Sequence, residues 1–251
     1  MTGAVRRRML RAEVLLVFAI TLGLSGLRSL LRLLESLARP EPLSDQAVAL
    51  NAPAARADLI DLALQLTGVL QLLAWGGLGI YLLMRDGVMP RQVGLGPRPV
   101  RRDWLYGAGL AALIGIPGLG FYLAAHKLGL NLAVLPSTLH DTWWRLPVLV
   151  LSALANAWAE EVLVVGYLLT RLRQLGVGRN GALAVSAVLR GSYHLYQGFG
   201  GFFGNVIMGL VFGRVWQRTN RLWPLILAHT LIDTVAFVGY ALLRSRVAWL
   251  P

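Results

Sequence analysis

The sequence predicts an all-α protein, a polytopic transmembrane helical bundle of about seven spans, with six to eight allowed. Two observations predict this fold class. The chain of 251 residues is 56% hydrophobic and only 14% charged, with a mean hydropathy of +0.61. It also contains several apolar stretches of about 18 residues or more, the length that crosses about 30 Å of hydrocarbon. No segment between these stretches is long enough to fold separately, so we predict a single membrane domain over residues 1–251.

Hydropathy places the candidate helices along the chain to within a few residues. They are predicted at 12–35, 58–84, 104–126, 146–171, 180–197, 201–217 and 222–243. The intervening segments 36–57, 85–103 and 127–145 are rich in proline, which disrupts helices, and we predict them to be loops. The first candidate follows a basic stretch, as a secretory signal does. Its apolar run continues to Leu37 without a small-x-small cleavage site, so we interpret it as an uncleaved span.

Arginines dominate the charge of the chain, and most of them stand at predicted helix ends. The net charge is +12, but the basic residues do not gather on one soluble face, so a membrane explains them better than a nucleic acid does. We predict a bacterial plasma-membrane protein with a cytoplasmic amino terminus. The inside segments would then hold Arg6, Arg7, Arg8, Arg11, Arg85, Arg91, Arg98, Arg101, Arg102, Arg171, Arg173, Arg179, Arg214, Arg218 and Arg221. The outside segments would hold only Arg39, Arg56, Lys127, Arg145, Arg244 and Arg246.

Ionisable side chains within predicted spans are the candidates for function, because a charge at the centre of a bilayer is costly. They are Glu160 and Glu161 in NAWAEEVLVVGYLLT (156–170), Arg190 and His194 in the fifth predicted span, and His229 and Asp233 in the last. Within boundary error they share one depth. The last two pairs are each spaced by four residues and therefore share a helical face.

The adjacent glutamates are predicted to have different roles. Neighbouring residues of an α-helix point about 100° apart, so we do not expect Glu160 and Glu161 to face the same point. We predict that Glu160 carries the chemistry and that Glu161 is held in place.

These residue types suit hydrolysis of an amide. Glutamate and histidine commonly act as general base and acid, so Glu160 and His194 form a candidate pair for activating water. His229 and Asp233 could stabilise the developing oxyanion. Two histidines and an acid could also bind a divalent metal such as zinc, with His194 and His229 as ligands, and the residues alone leave both mechanisms open. The chain has no cysteine, which excludes disulfides and thiolate metal sites.

The order of these motifs resembles a known family. An E-E pair followed by G-Y (160–167), then a serine and a histidine (186–194), then H-x-x-x-D (229–233) is similar to the intramembrane CAAX-protease and bacteriocin-processing family. The resemblance implies a catalytic core within 146–243 and leaves the role of 1–145 unassigned. It implies that Glu160 is the catalytic glutamate, that His194 helps it activate water, and that His229 and Asp233 stabilise the intermediate or bind metal. The substrate would be a membrane-embedded or lipidated protein or peptide.

Three positions depart from the family pattern. The family commonly has arginine where this chain has Val165, phenylalanine where it has Arg190, and asparagine where it has Asp233. We hypothesise that Arg190 replaces the missing guanidinium and pairs with Glu161. Tyr193 and Arg190 are the predicted supporting residues, and the aromatic and glycine-rich segment 193–204 could line a groove for an extended peptide.

Two other classes of function also fit. The same buried acids and histidines could form the relay of a proton-coupled transporter, although the chain shows no inverted repeat. A membrane scaffold that keeps the fold without catalysis is the other alternative, and the altered arginine and asparagine positions favour it. A proton-flux measurement in vesicles discriminates the first, and a peptide-cleavage assay discriminates both.

Overall fold

The computed structural model describes residues 3–243 and is helical in nearly all of its elements. The predicted outer positions of Arg244 and Arg246 lie outside the described residues. The helices are α1 Gly3–Ile20, α2 Leu22–Leu37, α3 Asp58–Arg85, α4 Arg101–Lys127, α5 Arg145–Glu160, α6 Leu168–Gln174, α7 Arg179–Ser192, α8 Phe199–Thr219 and α9 Trp223–Leu243. A π-helical segment, Glu161–Tyr167, joins α5 to α6. The predicted all-α bundle is confirmed.

Fewer helices than predicted can cross a bilayer. Within residues 3–243, five are long and apolar enough, namely α3, α4, the continuous Arg145–Gln174, α8 and α9. A sixth span is possible only if α1 and α2 count as one, and they are bent by 49°. The bend falls at Thr21, whose hydroxyl donates to Val17 O at 2.6 Å, a side-chain contact that often accompanies a bend in a helix. The predicted count of seven is not confirmed.

The predicted span at 180–197 is instead the short helix α7. Its 14 residues extend about 21 Å, well below the length needed to cross the hydrocarbon. It packs closely on α8: a Cβ added at Gly209 would lie 2.9 Å from Ala187 Cα, and one at Gly213 would lie 2.5 Å from Leu183 Cδ1. These two glycines, four residues apart on one face of α8, therefore let α8 approach α7 closely.

The continuous segment from α5 to α6 forms the centre of the bundle. In its most apolar window 67% of residues are buried, against 6% for α4, so α4 faces outward while α5 and the π-helical segment are enclosed. Val162, Leu163, Val164 and Val165 are fully buried in the main core cluster. The carboxylates of Glu160 and Glu161 are therefore placed inside protein, not against lipid.

The connecting segments contain one small sheet that helical periodicity does not predict. Strands β1 Ala47–Ala49 and β2 Ala133–Leu135 pair in parallel, with Ala47 opposite Ala133. The first connection therefore meets the third, and the Asn51 side chain adds a hydrogen bond to Pro136 O at 2.8 Å. The predicted loops 36–57 and 127–145 are thus joined over one end of the bundle.

Candidate active site

The two glutamates lie where the helix changes its geometry. Glu160 is the last residue of α5 and Glu161 is the first residue of the π-helical segment. A π-helix has i→i+5 hydrogen bonds and occurs frequently at functional sites. Both side chains are almost completely buried, so each carboxylate needs a partner from the protein.

Arg190 is the partner of both carboxylates. Its Nη2 lies 2.7 Å from Glu161 Oε1 and its Nη1 lies 3.3 Å from Glu160 Oε2. The predicted contact with Glu161 is present, but the expectation that the two glutamates cannot face the same point is wrong. A guanidinium presents nitrogens in a fork, so it can receive two flexible carboxylates whose backbones diverge. The guanidinium also lies over the Phe212 ring, 5.8 Å from its centre.

Glu160 makes its contacts through one oxygen. The hydroxyl of Tyr193 donates to Oε2 at 2.7 Å, the oxygen that Arg190 also contacts. Among residues 3–243, Oε1 has no hydrogen-bond partner. The carboxylate is therefore oriented by two donors while one oxygen stays available for another proton.

His194 lies in the turn after α7 and not inside a span, contrary to the prediction. Its Nδ1 is 3.0 Å from Arg190 O. A carbonyl only accepts, so Nδ1 carries the proton and the lone pair of a neutral ring lies on Nε2. The ring packs on Tyr193 at 4.8 Å between centres, and it interacts electrostatically with Glu160 and His229. The histidine is therefore held with Nε2 as its proton acceptor.

His229 and Asp233 join the cluster from α9. His229 Nδ1 donates to Glu161 Oε1 at 2.8 Å. Its Nε2 lies 3.5 Å from Asp233 Oδ2, which is longer than a hydrogen bond. His229 is thus tied to Glu161 first and to Asp233 only as a neighbour.

Asn156 is a site residue that the sequence interpretation missed. Its amide donates to Asp233 Oδ2 at 3.0 Å. The spacing from Asn156 to Glu160 is one helical turn, which places both on one face of α5. A polar amide one turn before the glutamates, within the same apolar run, is the signal that could have found it.

All five predicted catalytic residues and both supporting residues therefore gather in one cluster, which is buried except at His194 and Asp233, where the side chains are partly buried. They come from the α5 junction, the end of α7 with its following turn, and α9. Two atoms inside the cluster, Glu161 Oε2 and Arg190 Nε, are fully buried and have no hydrogen-bond partner in the described chain. Unpaired buried polar atoms are rare in folded proteins, and these two belong to the same Arg190–Glu161 ion pair.

The donor set does not fit the predicted metal ion. Among residues 3–243, no three His, Asp or Glu side chains converge in a way that could hold one. His229 gives Nδ1 to Glu161, and the glutamates already share the positive charge of Arg190. A divalent ion between the two glutamates would have to displace that guanidinium, and we propose no metal-dependent step.

A comparison with known protein families gives a match to the part of the chain that contains the candidate site. Residues 142–235 match the family model described as type II CAAX prenyl endopeptidase, Rce1-like. No curated protein and no solved structure gives a significant match. The match contains every residue of the cluster, from Asn156 to Asp233. The predicted resemblance is therefore confirmed: residues 142–235 are similar to the Rce1-like group of CAAX prenyl endopeptidases.

Proposed function

We propose that this protein is an intramembrane endopeptidase that hydrolyses a peptide bond of a membrane-associated or lipidated protein or peptide. One observation carries the proposal: Glu160 and His194 belong to a single cluster, Glu160 buried and His194 partly buried, and each is oriented by contacts that leave one proton-accepting atom available. The Rce1-like match suggests the same class of activity.

In the proposed reaction, Glu160 is the general base. A water molecule between Glu160 Oε1 and His194 Nε2 loses a proton to the glutamate while its oxygen attacks the carbonyl carbon. Tyr193 and Arg190 hold the other carboxylate oxygen of Glu160 in place. The tetrahedral intermediate collapses when the proton passes from Glu160 to the amide nitrogen. The carbon–nitrogen bond then breaks, and the products are a carboxylate and an amine.

The oxyanion is the part of the intermediate that needs positive charge nearby. His229 already donates from Nδ1 to Glu161, so it would act through Nε2 and would need to carry a proton there. Asp233 lies 3.5 Å from that nitrogen and, as a pair with the protonated ring, would not repel the oxyanion as an isolated carboxylate would. Preorganised donors of this kind typically contribute a factor of about 10²–10³ to the rate.

A cleavage assay with reconstituted protein tests the proposal. Glu160→Gln removes the base with little change of shape, and His194→Ala removes the second group that holds water. We expect each variant to lose about 10²–10⁴-fold in the rate of cleavage of lipidated model peptides. In cell membranes, a precursor should accumulate with Glu160→Gln and not with wild type. Wild-type cleavage rates in both variants would contradict the proposal.

A catalytically inactive scaffold is the second candidate, and the Arg190 contacts favour it. Because both glutamates meet one guanidinium, the cluster also has the form of a structural ion pair that fixes helix register. This alternative predicts that purified wild-type protein cleaves none of the lipidated peptides. It also predicts that Glu160→Gln leaves partner assembly intact in membranes.

A further inference from the structure

We propose that the amino-terminal end of α7 and the carboxyl-terminal end of α8 form a binding site for a phosphate group. An open cavity of about 550 Å³ lies there, and it is lined by Gly178, Arg179, Asn180, Gly181, Arg214 and Arg218. Arg173 borders an adjoining cavity with Arg179. Guanidinium groups bind phosphate with paired, charge-assisted hydrogen bonds.

Two arginines of this cavity, Arg179 and Arg214, are positioned by neutral oxygens. Arg179 Nη2 donates to Gln217 O at 2.6 Å. Arg214 donates from Nη1 to Gln217 Oε1 at 3.2 Å and from Nη2 to Asn180 Oδ1 at 3.0 Å. The Gln217 amide returns a hydrogen bond to Arg179 O at 2.8 Å. These contacts orient the guanidinium groups and leave their positive charge uncompensated.

Other arginines at the same end of the bundle are neutralised. Arg171 forms ion pairs with Glu13 and Asp86, and Arg221 pairs with Asp103. Within residues 3–243, no carboxylate lies within ion-pair distance of Arg173, Arg179, Arg214 or Arg218. The positive-inside tendency accounts for the number of arginines at this end. It does not account for their convergence on one cavity.

The location of the cavity indicates the source of the phosphate. It lies at the ends of α7 and α8, where a membrane presents lipid headgroups, and at the face that we predict to be cytoplasmic. Anionic lipids attract basic residues at that surface. The phosphodiester of an anionic lipid headgroup is therefore the favoured ligand, and a free phosphate in solution would use the same chemistry. The catalytic cluster is at the opposite end of α7, about 16 Å along the helix from Arg179 to Arg190.

Gly178 offers a variant that blocks the site without harming the fold. A Cβ at Gly178 would meet nothing within 4 Å, and its φ of −62° suits any residue. Gly178→Asp would place a carboxylate among the arginines at the N-cap of α7, where Asp stabilises a helix. Gly178→Asn is the matched control, because it is an equally good N-cap of the same size without the charge.

Lipid binding is then measured on the full chain in detergent by native mass spectrometry and by thermal unfolding. We expect wild type and Gly178→Asn to retain phosphatidylglycerol in preference to phosphatidylcholine. Gly178→Asp should lower the phosphatidylglycerol affinity about fivefold while keeping or raising the unfolding temperature. A parallel titration with inorganic phosphate distinguishes a lipid headgroup from a free phosphate as the source of the phosphate group. If inorganic phosphate raised the unfolding temperature as much as the lipid does, the site would be assigned to a soluble phosphate.

A second control separates lipid binding at the cavity from lipid attraction by general surface charge. Arg6, Arg7 and Arg8 are exposed on α1, and changing all three to Gln removes more charge than Gly178→Asp neutralises. Preserved selectivity for phosphatidylglycerol in this triple variant supports the cavity. Equal affinity in wild type and Gly178→Asp, or the same loss in the triple variant, would overturn the proposal.

Discussion

Within residues 3–243, two buried arginines each join two carboxylates, and they differ in what else they contact. Arg190 meets Glu160 and Glu161. Arg171, fully buried nearer the other end of the bundle, meets Glu13 at 2.8 Å and Asp86 at 2.9 Å. Each guanidinium also lies over an aromatic ring, Phe212 for the first and Tyr167 for the second.

The partners of Arg171 indicate a structural role. They come from two other parts of the chain, because Glu13 is on α1, whereas Leu82, whose carbonyl accepts at 2.7 Å, is on α3 and Asp86 directly follows α3. Asp86 keeps 23% of its side-chain surface exposed, so this network reaches solvent. Its contacts in the described chain include no histidine. Arg171 therefore ties helix ends together.

The Arg190 network is enclosed and contains the groups that move protons. Glu160 and Glu161 expose 4% and 0% of their side chains, and His229 donates directly to Glu161. An arginine between two carboxylates is thus not by itself a sign of catalysis. Histidines with an available nitrogen, beside a carboxylate with an available oxygen, are what distinguish the second network.

Leucine substitution of each arginine gives the largest predicted difference. Arg190→Leu leaves two enclosed carboxylates without a cation, and we expect it to lower the free energy of unfolding by about 3–5 kcal/mol and to abolish cleavage. Arg171→Leu should also destabilise the protein, but each folded molecule should cleave at the wild-type rate. Unfolding in detergent and the cleavage rate per folded molecule measure both effects. An Arg190→Leu variant with full stability and activity, in which Glu161 is still required, would remove the distinction.

Replacing the tyrosine of each arginine network by phenylalanine gives the next largest predicted difference. Tyr193→Phe removes a hydrogen bond to the Glu160 carboxylate, a contact worth about 1.5–3 kcal/mol, so kcat should fall about 10- to 100-fold. Tyr167→Phe removes the corresponding bond to Glu13, which is 2.9 Å long, and should lower the unfolding temperature with kcat unchanged. Steady-state kinetics on both variants test this. An equal loss of kcat in the two would mean that both networks act only through stability.

Replacing the side-chain amide of each arginine network gives a smaller predicted difference in kcat. Asn156→Ala removes the donor that holds Asp233, and a bond of about 1 kcal/mol or somewhat more corresponds to a fall of roughly tenfold in kcat, with KM unchanged. The control is Gln174→Ala, which removes an acceptor 2.8 Å from Arg171. We expect this variant to change stability alone. A rise in KM without a change in kcat for Asn156→Ala would assign Asn156 to substrate binding.

Metal removal should have the smallest effect. Since Arg190 supplies the positive charge between the glutamates, we expect dialysis against a strong chelator to leave the cleavage rate unchanged. The assay compares dialysed protein with and without added zinc. Loss of activity after dialysis and its recovery with zinc would show that the guanidinium is displaced in the working enzyme.

Much of the candidate site could be predicted because buried charge in an apolar run is conspicuous. Glu160, Glu161, Arg190, His194 and His229 stand out from their neighbours by polarity alone, and burial of ionisable groups needs a reason. Asn156 was missed because a neutral amide stands out less from an apolar run than a charged side chain does. The contact of Arg190 with both glutamates was also not predictable, because helical geometry describes backbone directions and not the reach of long side chains.

The sequence by itself determined the membrane class, most of the long helices and most residues of the candidate site, since hydropathy and charge are properties of each residue in turn. Only the tertiary structure decided that α7 ends at Ser192 and that His194 lies in the turn beyond it. Hydropathy does not distinguish a helix buried against α8 from a helix buried in lipid, because both environments exclude water. The tertiary structure likewise decided which arginine serves two glutamates and which ties helix ends together, because those contacts join elements that are far apart in the chain.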